Sequence, residues 1–451
     1  HKTALLAVLA ALVVVLGGLG YAIYRLGLKS GAPPAGLALE NLKITQLTTT
    51  GKARDAAISP DGRYVVYAEE EAGLQSLWLR QIATSSNVQI SPPAEVEYWG
   101  LTFSRDGNYI YVVKNEKTEG RWNSFNTLYE LAVLGGSARR LIADVDSPVT
   151  CSPDGSSLAF VRTALTARES RLIVADVDGS NERFLALRKI TDGFYATTAA
   201  WSPDGKSIAV PVLQVAASYQ GTVSAVPVAG GRERSLSSQS WFQVGRLGWL
   251  ADGSGLVLSA RDQPAGPYQL RLLTYPGGEV RKVTNDLNNY ESVTLTADST
   301  ALLTVKSETQ ADIWVTSAAG EDGRKLTPCS SWGPQQRLDW TPEGRLVYSP
   351  KVSGPSQLWI MDADGNNQRR LTAGRNFYSA PTVSPDGRAI VCIGGPPDTA
   401  APNIWKMDAE GTGAKRLTTG QSEFSPRFSP DGKWVVYTAF ESGKPSITKV
   451  S

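Results

Sequence analysis

Histidine, the commonest general base, occurs once in the chain, as His1. A Ser-His-Asp triad, a Cys-His dyad and a two-histidine zinc helix therefore all lack their central residue. The three cysteines, Cys151, Cys329 and Cys392, lie far apart and show no paired metal spacing. Cys151 and Cys392 fall within strand-like runs, where a small buried residue is the expected role. Asp176-Val177-Asp178-Gly179 and Asp362-Ala363-Asp364-Gly365 begin like calcium loops. Neither continues with the further acidic or amide position and the later glutamate that such a loop needs, so both read as hairpin turns. The sequence contains no Gly-x-Ser-x-Gly elbow, glycine-rich phosphate loop or kinase catalytic loop. These residues imply no catalytic, cofactor or metal site.

What remains is binding chemistry. Aromatic residues recur a few positions before one strand of most repeats: Tyr98 and Trp99, Phe194 and Tyr195, Trp241 and Phe242, Tyr290, Trp332, Phe377 and Tyr378, and Phe424. Arg246, Arg337 and Arg375 lie close to them in sequence. Rings beside guanidinium groups at the mouth of a channel could grip a peptide or a glycan. The same rings could instead fill the space between neighbouring sheets.

The elements that would position these residues follow from internal repetition. Ser-Pro-Asp-Gly occurs at Ser59–Gly62, Ser152–Gly155, Ser202–Gly205, Ser384–Gly387 and Ser429–Gly432. Degenerate copies start at Ser104, Leu250, Thr296 and Thr341, and the steps between the nine copies run from 43 to 50 residues. In such a turn Pro presets φ, Asp caps the backbone and Gly accepts positive φ. Runs rich in β-branched and aromatic residues flank it, such as Tyr64-Val65-Val66-Tyr67 and Trp434-Val435-Val436-Tyr437. A third run follows, such as Leu358-Trp359-Ile360-Met361, and a fourth, such as Arg369-Arg370-Leu371-Thr372, whose charges suit an exposed edge. Four antiparallel strands per repeat predict an all-β protein, a β-propeller of about nine blades. Ile44–Thr48 reads as a fourth strand with no blade before it. Two arrangements satisfy this pattern: one nine-blade ring, or a six-blade ring over 42–320 closed by Ile44–Thr48, with 321–451 forming further blades of an incomplete second propeller.

Ala4 to Tyr24 carries no charge and lies between Lys2 and Arg25. As a helix it would span about 30 Å, the thickness of a bilayer core. The segment is expected to be a transmembrane helix after a stub at 1–3, with a signal peptide as the rival reading. A Pro- and Gly-containing linker occupies 25–41. Basic residues on both flanks leave orientation open. The chain opens without Met, and it is expected to be part of a longer polypeptide. The net charge of +2 gives no electrostatic footprint for nucleic acid.

The repeats resemble those of TolB-like propellers over roughly 43–451. Lys43–Thr48, Gln75–Asn87 and Gly100–Tyr111 are similar to the extracytoplasmic propeller of bacterial membrane-bound Ser/Thr protein kinases. That resemblance implies a periplasmic propeller, a kinase domain preceding the membrane helix, and a sensor or scaffold role with a protein, peptide or envelope component as ligand. Coupling across one helix would act most simply through a homodimer. The alternative is an exported, TolB-like envelope protein that works through protein–protein contacts.

Overall fold

The computed structural model describes residues 43–451 apart from 119–120, 123–124, 165, 215–219, 263–265, 287, 309–311, 319, 321–322, 328–336, 351–354, 397–401, 421–422 and 442–443. The expected membrane helix over 4–24 and linker over 25–41 lie outside the described residues, as do Cys329 and Trp332. Among the described residues every regular element is a strand, and no helix is long and apolar enough to cross a membrane.

Each repeat becomes an antiparallel meander. The first is Ala53–Ile58, Tyr64–Glu71, Leu74–Gln81 and Asn87–Ala94, paired in that order. Alternation explains why such a sheet is buried on both faces. In Tyr64–Glu71, Val66 joins the core shared with the second repeat, while Val65 and Tyr67 face the opposite side. Each fully buried aliphatic or aromatic side chain contributes about 1.5–3 kcal/mol, so a thin sheet depends on both neighbours. The basic fourth strands Arg324–Lys325, Arg369–Arg370 and Lys415–Arg416 are exposed, as charge on an outer edge should be.

The turn between the first two strands carries more bonds than its Pro and Gly alone imply. Ser59 Oγ donates to Asp61 Oδ1 at 2.6 Å and accepts from Tyr64 N at 2.9 Å. Asp61 Oδ1 also accepts from Arg63 N at 3.0 Å, and Gly62 N closes on Ser59 O at 2.9 Å with φ of 71°. Serine is thus the hub of the turn, and the same network recurs around Ser152, Ser202 and Ser384.

A second recurring network locks the fourth strand to the third. Thr284, Thr327, Thr372 and Thr418 accept through Oγ1 from the amides of Leu270, Ile313, Leu358 and Ile404 at 2.9–3.0 Å. The preceding residue, Val283, Leu326, Leu371 or Leu417, returns its own amide to the carbonyl of that same third-strand residue.

Successive sheets stack face to face, and the stacking turns back on itself. The sixth repeat places Ala301, Leu303 and Val305 against Ala56, Ile58, Val65 and Tyr67 of the first. Ala297 N donates to Pro60 O at 2.8 Å and Ile58 N to Thr294 Oγ1 at 3.2 Å across the same boundary. The sixth repeat is divided. Its first half, 289–307, forms two short strand pairs, whereas Trp314–Val315 and Arg324–Lys325 pair only with each other. Ile313 and Leu326 pack instead on Leu346, Tyr348 and Met361 of the seventh repeat. Lys43–Thr50 is not a strand, but Leu47 packs into the cluster between the sixth and first repeats.

Candidate functional site

The innermost strands of the first six repeats surround one cavity of about 340 Å³. Ala53–Ile58, Val96–Phe103, Thr150–Cys151, Ala200–Trp201, Gln243–Trp249 and Thr294–Leu295 all contribute to its wall. Each of these strands pairs on one edge only, so the other edge lies toward the cavity without a strand neighbour. One mouth is set by the second residue of each turn: Pro60, Arg105, Pro153, Pro203, Ala251 and Ala297. Thr102 Oγ1, in the wall, donates to Val149 O of the next repeat at 2.7 Å.

Five residues before the turn position, the wall carries charge. The equivalent residues are Asp55, Gly100, Pro148, Thr198, Arg246 and Ser292. Gly100 is required by packing, because a Cβ there would stand 2.6 Å from Pro148 Cα. Arg246 reaches from the fifth repeat to the first, where Nη2 donates to Asp55 Oδ2 at 2.9 Å. The same nitrogen donates to Trp99 O of the second repeat at 3.2 Å. Asp55 is 4% exposed, and its Oδ1 accepts from Ala56 N at 2.8 Å. Arg246 therefore lies across the end of the cavity away from the turns. Removing one partner of so enclosed a pair strands the other charge, at a cost of about 3–5 kcal/mol.

The aromatic candidates divide. Trp99 is 46% exposed beside the Arg246 contact. Tyr98, Phe194, Trp241, Tyr290, Phe377 and Tyr378 are buried, the first four and Tyr378 within clusters between sheets. Tyr290 donates to Asp286 Oδ2 at 2.8 Å, and Tyr378 meets Trp405 edge-on at 5.7 Å. Phe242 lies under Arg261, and the Tyr195 hydroxyl accepts from Gln243 Nε2. Phe424 is half-buried in the last sheet. Arg337 and Arg375 are exposed in the later repeats, where Arg337 Nη2 donates to Ser425 Oγ at 3.4 Å. The structure thus brings Trp99 and Arg246 together, and the remaining described candidates are held elsewhere. Asp55 was not among the sequence candidates. Aligning the repeats on their turns would have found it, because among the first six repeats only it and Arg246 are charged at that position.

Among the described residues, no group of three or more His, Cys, Asp or Glu side chains could hold a metal ion. Cys151 lines the cavity wall, and burial pushes its thiol up to about 12. The turn carboxylates Asp61, Asp106, Asp154 and Asp204 stand below the ordinary carboxylate range, chiefly through their serine hydroxyls. They are ionised near neutral pH.

Antiparallel sheets stacked around a common cavity define a β-propeller. Residues 298–451, about a third of the chain, match the family model described as TolB beta propeller domain. Among solved structures, TolB from Acinetobacter baumannii is 15% identical, with 76% of this chain and 86% of that chain covered and a TM-score of 0.35. The β-propeller domain of the Trilobed protease from Pyrococcus furiosus is 12% identical, with 82% and 98% covered and a TM-score of 0.38. The tricorn protease is 14% identical, with 88% of this chain and 44% of that chain covered and a TM-score of 0.38.

Proposed function

We propose that this chain is a membrane-anchored, non-catalytic β-propeller that binds a peptide, an envelope component or a protein partner. In this reading it is the periplasmic sensor part of a receptor-type Ser/Thr protein kinase. The observation that carries the binding role is the cavity, walled by six open strand edges and spanned at one end by Arg246. An extended chain can meet open edges through its own backbone groups, which is how strand-edge recognition gains affinity. The kinase connection rests on the likeness of Lys43–Thr48, Gln75–Asn87 and Gly100–Tyr111 to that family, and on the apolar segment 4–24. A TolB-like exported envelope protein is the second reading, favoured by the family match over 298–451.

The proposed architecture is a six-sheet ring followed by an arc of further sheets. Contact between the sixth and first repeats supports it, as does Leu47 in the cluster where a fourth-strand leucine sits in other repeats. The test is a phosphatase reporter fused after Ser451 in the natural full-length protein, with a kinase assay on the same purified protein. An active reporter retained in the membrane fraction, together with phosphorylation of a Ser/Thr substrate, is the expected outcome. Release of the reporter in soluble form, without kinase activity, would leave the envelope protein as the reading.

A further inference from the structure

We infer that the bore is a receptor for the free carboxyl terminus of an extended peptide, threaded from the turn face until its carboxylate meets Arg246. The inference rests on the peptide-binding reading and names the part of the peptide that is read. Three features of the bore converge on it.

The first is unused donor capacity. Both contacts of the Arg246 guanidinium run through Nη2. Nε and Nη1 carry the remaining N–H groups, which point outward from different edges of the planar guanidinium and have no partner among the described residues. Each can donate to one oxygen of an incoming carboxylate, and Asp55 cannot supply that further acceptor, because its other oxygen is held by Ala56 N. Asp55 and the Trp99 carbonyl instead hold the guanidinium across the bore, so the ligand meets a positioned group and need not displace either.

The second is shape. The five residues from Arg246 to Ala251 span about 16 Å of strand at roughly 3.3 Å each. A volume of 340 Å³ spread along that length leaves a narrow bore, wide enough for one extended chain. Its lining includes the small residues Ala57, Ala200 and Gly248 and the hydroxyls of Thr102, Thr150 and Thr294. The strand edges give the wall backbone donors and acceptors, apart from groups such as Ile58 N, Val149 O and Gly245 O that are bonded to neighbouring repeats. A peptide can use them, whereas an alkyl chain cannot.

The third is the charge at the mouth. Each residue that sets the mouth is followed by an aspartate, Asp61, Asp106, Asp154, Asp204, Asp252 or Asp298. Arg63 and Lys206 lie against two of them and Arg105 lines the mouth itself, which leaves the rim acidic. A basic residue about five or six positions before the ligand's carboxyl terminus would stand at that rim while the terminus reached Arg246.

The test is fluorescence anisotropy with the full chain in detergent micelles and the labelled peptide KAASAVA as probe. The free acid is expected to bind at least about tenfold more tightly than its C-terminal amide. Replacing the lysine by alanine should weaken binding severalfold, with the difference shrinking as salt is raised. Arg246→Met together with Asp55→Asn removes both charges, so that neither is left stranded, and should make acid and amide bind alike. A melting temperature close to that of the parent would show the double variant folded. If it does not fold, Arg246→Lys keeps the charge but loses the outward Nε and Nη1 donors and should reduce the acid preference by about tenfold. Equal binding of acid and amide to the parent protein would overturn the inference and leave the wider peptide reading standing. Binding of neither form would overturn both the inference and the peptide reading, leaving a protein or envelope partner. Displacement of the free acid by decanoate at equal or lower concentration would assign the bore to linear acids in general and overturn the peptide assignment.

Discussion

Thr372→Val isolates the bond that locks a fourth strand to a third. The two side chains have the same shape, so no cavity opens and only the hydroxyl is lost. In the parent, Thr372 Oγ1 accepts from Leu358 N at 2.9 Å and donates to Gln357 Oε1 at 2.7 Å. Leu358, Thr372 and Gln357 are all buried, at 0%, 4% and 1% exposure, so water cannot replace either bond. Gln357 Nε2 keeps its bond to Asn376 O, which confines the damage to two groups. Each buried group left without a partner costs about 1–3 kcal/mol, and the substitution should destabilise the seventh sheet by roughly 2–3 kcal/mol. A chain of many sheets need not unfold in one step, so the assay is native-state amide exchange, which reads local opening. Protection of the Leu358 and Leu371 amides should fall by the corresponding factor while that of Val161 and Leu172, in the third sheet, stays unchanged. Thr372→Ser should recover most of the loss. The reasoning fails if the loss is under about 0.5 kcal/mol, or if serine behaves like valine.

Other consequences follow from the turns, the close approaches and the thiols. Asp61, Asp154, Asp204 and Asp386 have folded-state pKa values below the unfolded value, so their contribution is present above the unfolded value and lost as pH falls through the folded one. The melting temperature should therefore drop between pH 5 and pH 3, within the range set by ordinary carboxylates near ~3.9. Combined Ser59→Ala, Ser152→Ala and Ser202→Ala, which remove the largest cause of the shifts, should flatten that drop. Gly100→Ala forces a methyl to within 2.6 Å of Pro148 Cα and should lower stability by about 1–3 kcal/mol in urea unfolding. Cys392 is fully buried and burial raises its thiol pKa, so peptide mass mapping after iodoacetamide at pH 8 should find it alkylated only in denatured protein. Cys151 is only half-buried in the cavity wall, but its thiol is pushed up to about 12, so it should be alkylated in native protein more slowly than in denatured protein.

The fold was legible because its signal is repeated. Ser59, Ser152, Ser202, Ser384 and Ser429 each begin the same turn, and a continuous apolar run such as Tyr64–Ala68 fits a strand buried on both faces. The aromatic residues were harder to place, for a geometric reason. Sheets that radiate from an axis leave wedges that widen outward, and large rings such as Trp241 and Tyr378 fill them. Proximity in sequence to an inner strand therefore does not place a ring at the channel. Asp55 escaped notice because its partner lies 191 residues away. Nothing local to Ala53–Ile58 marks it, and only a comparison of equivalent positions sets its charge against that of Arg246.

Ring closure belongs to the same logic. Val283-Thr284, Leu326-Thr327, Leu371-Thr372 and Leu417-Thr418 all lock onto a third strand through the threonine hydroxyl and the preceding amide. Leu47-Thr48 repeats that dipeptide, yet Thr48 makes no such bond among the described residues. Leu47 nonetheless enters the cluster between the sixth and first repeats, the place its counterpart Leu371 takes between the seventh and eighth. The third strand that would receive Thr48 is the one that packs, with its own Leu326-Thr327, on the seventh repeat. One third strand thus stands between two candidate fourth strands, and the nearer one in sequence holds it. In the proposed six-sheet ring, closure would depend on side-chain packing around Val305 and on the Ala297 to Pro60 and Ile58 to Thr294 bonds, without the strand-to-strand ladder that secures the other sheets.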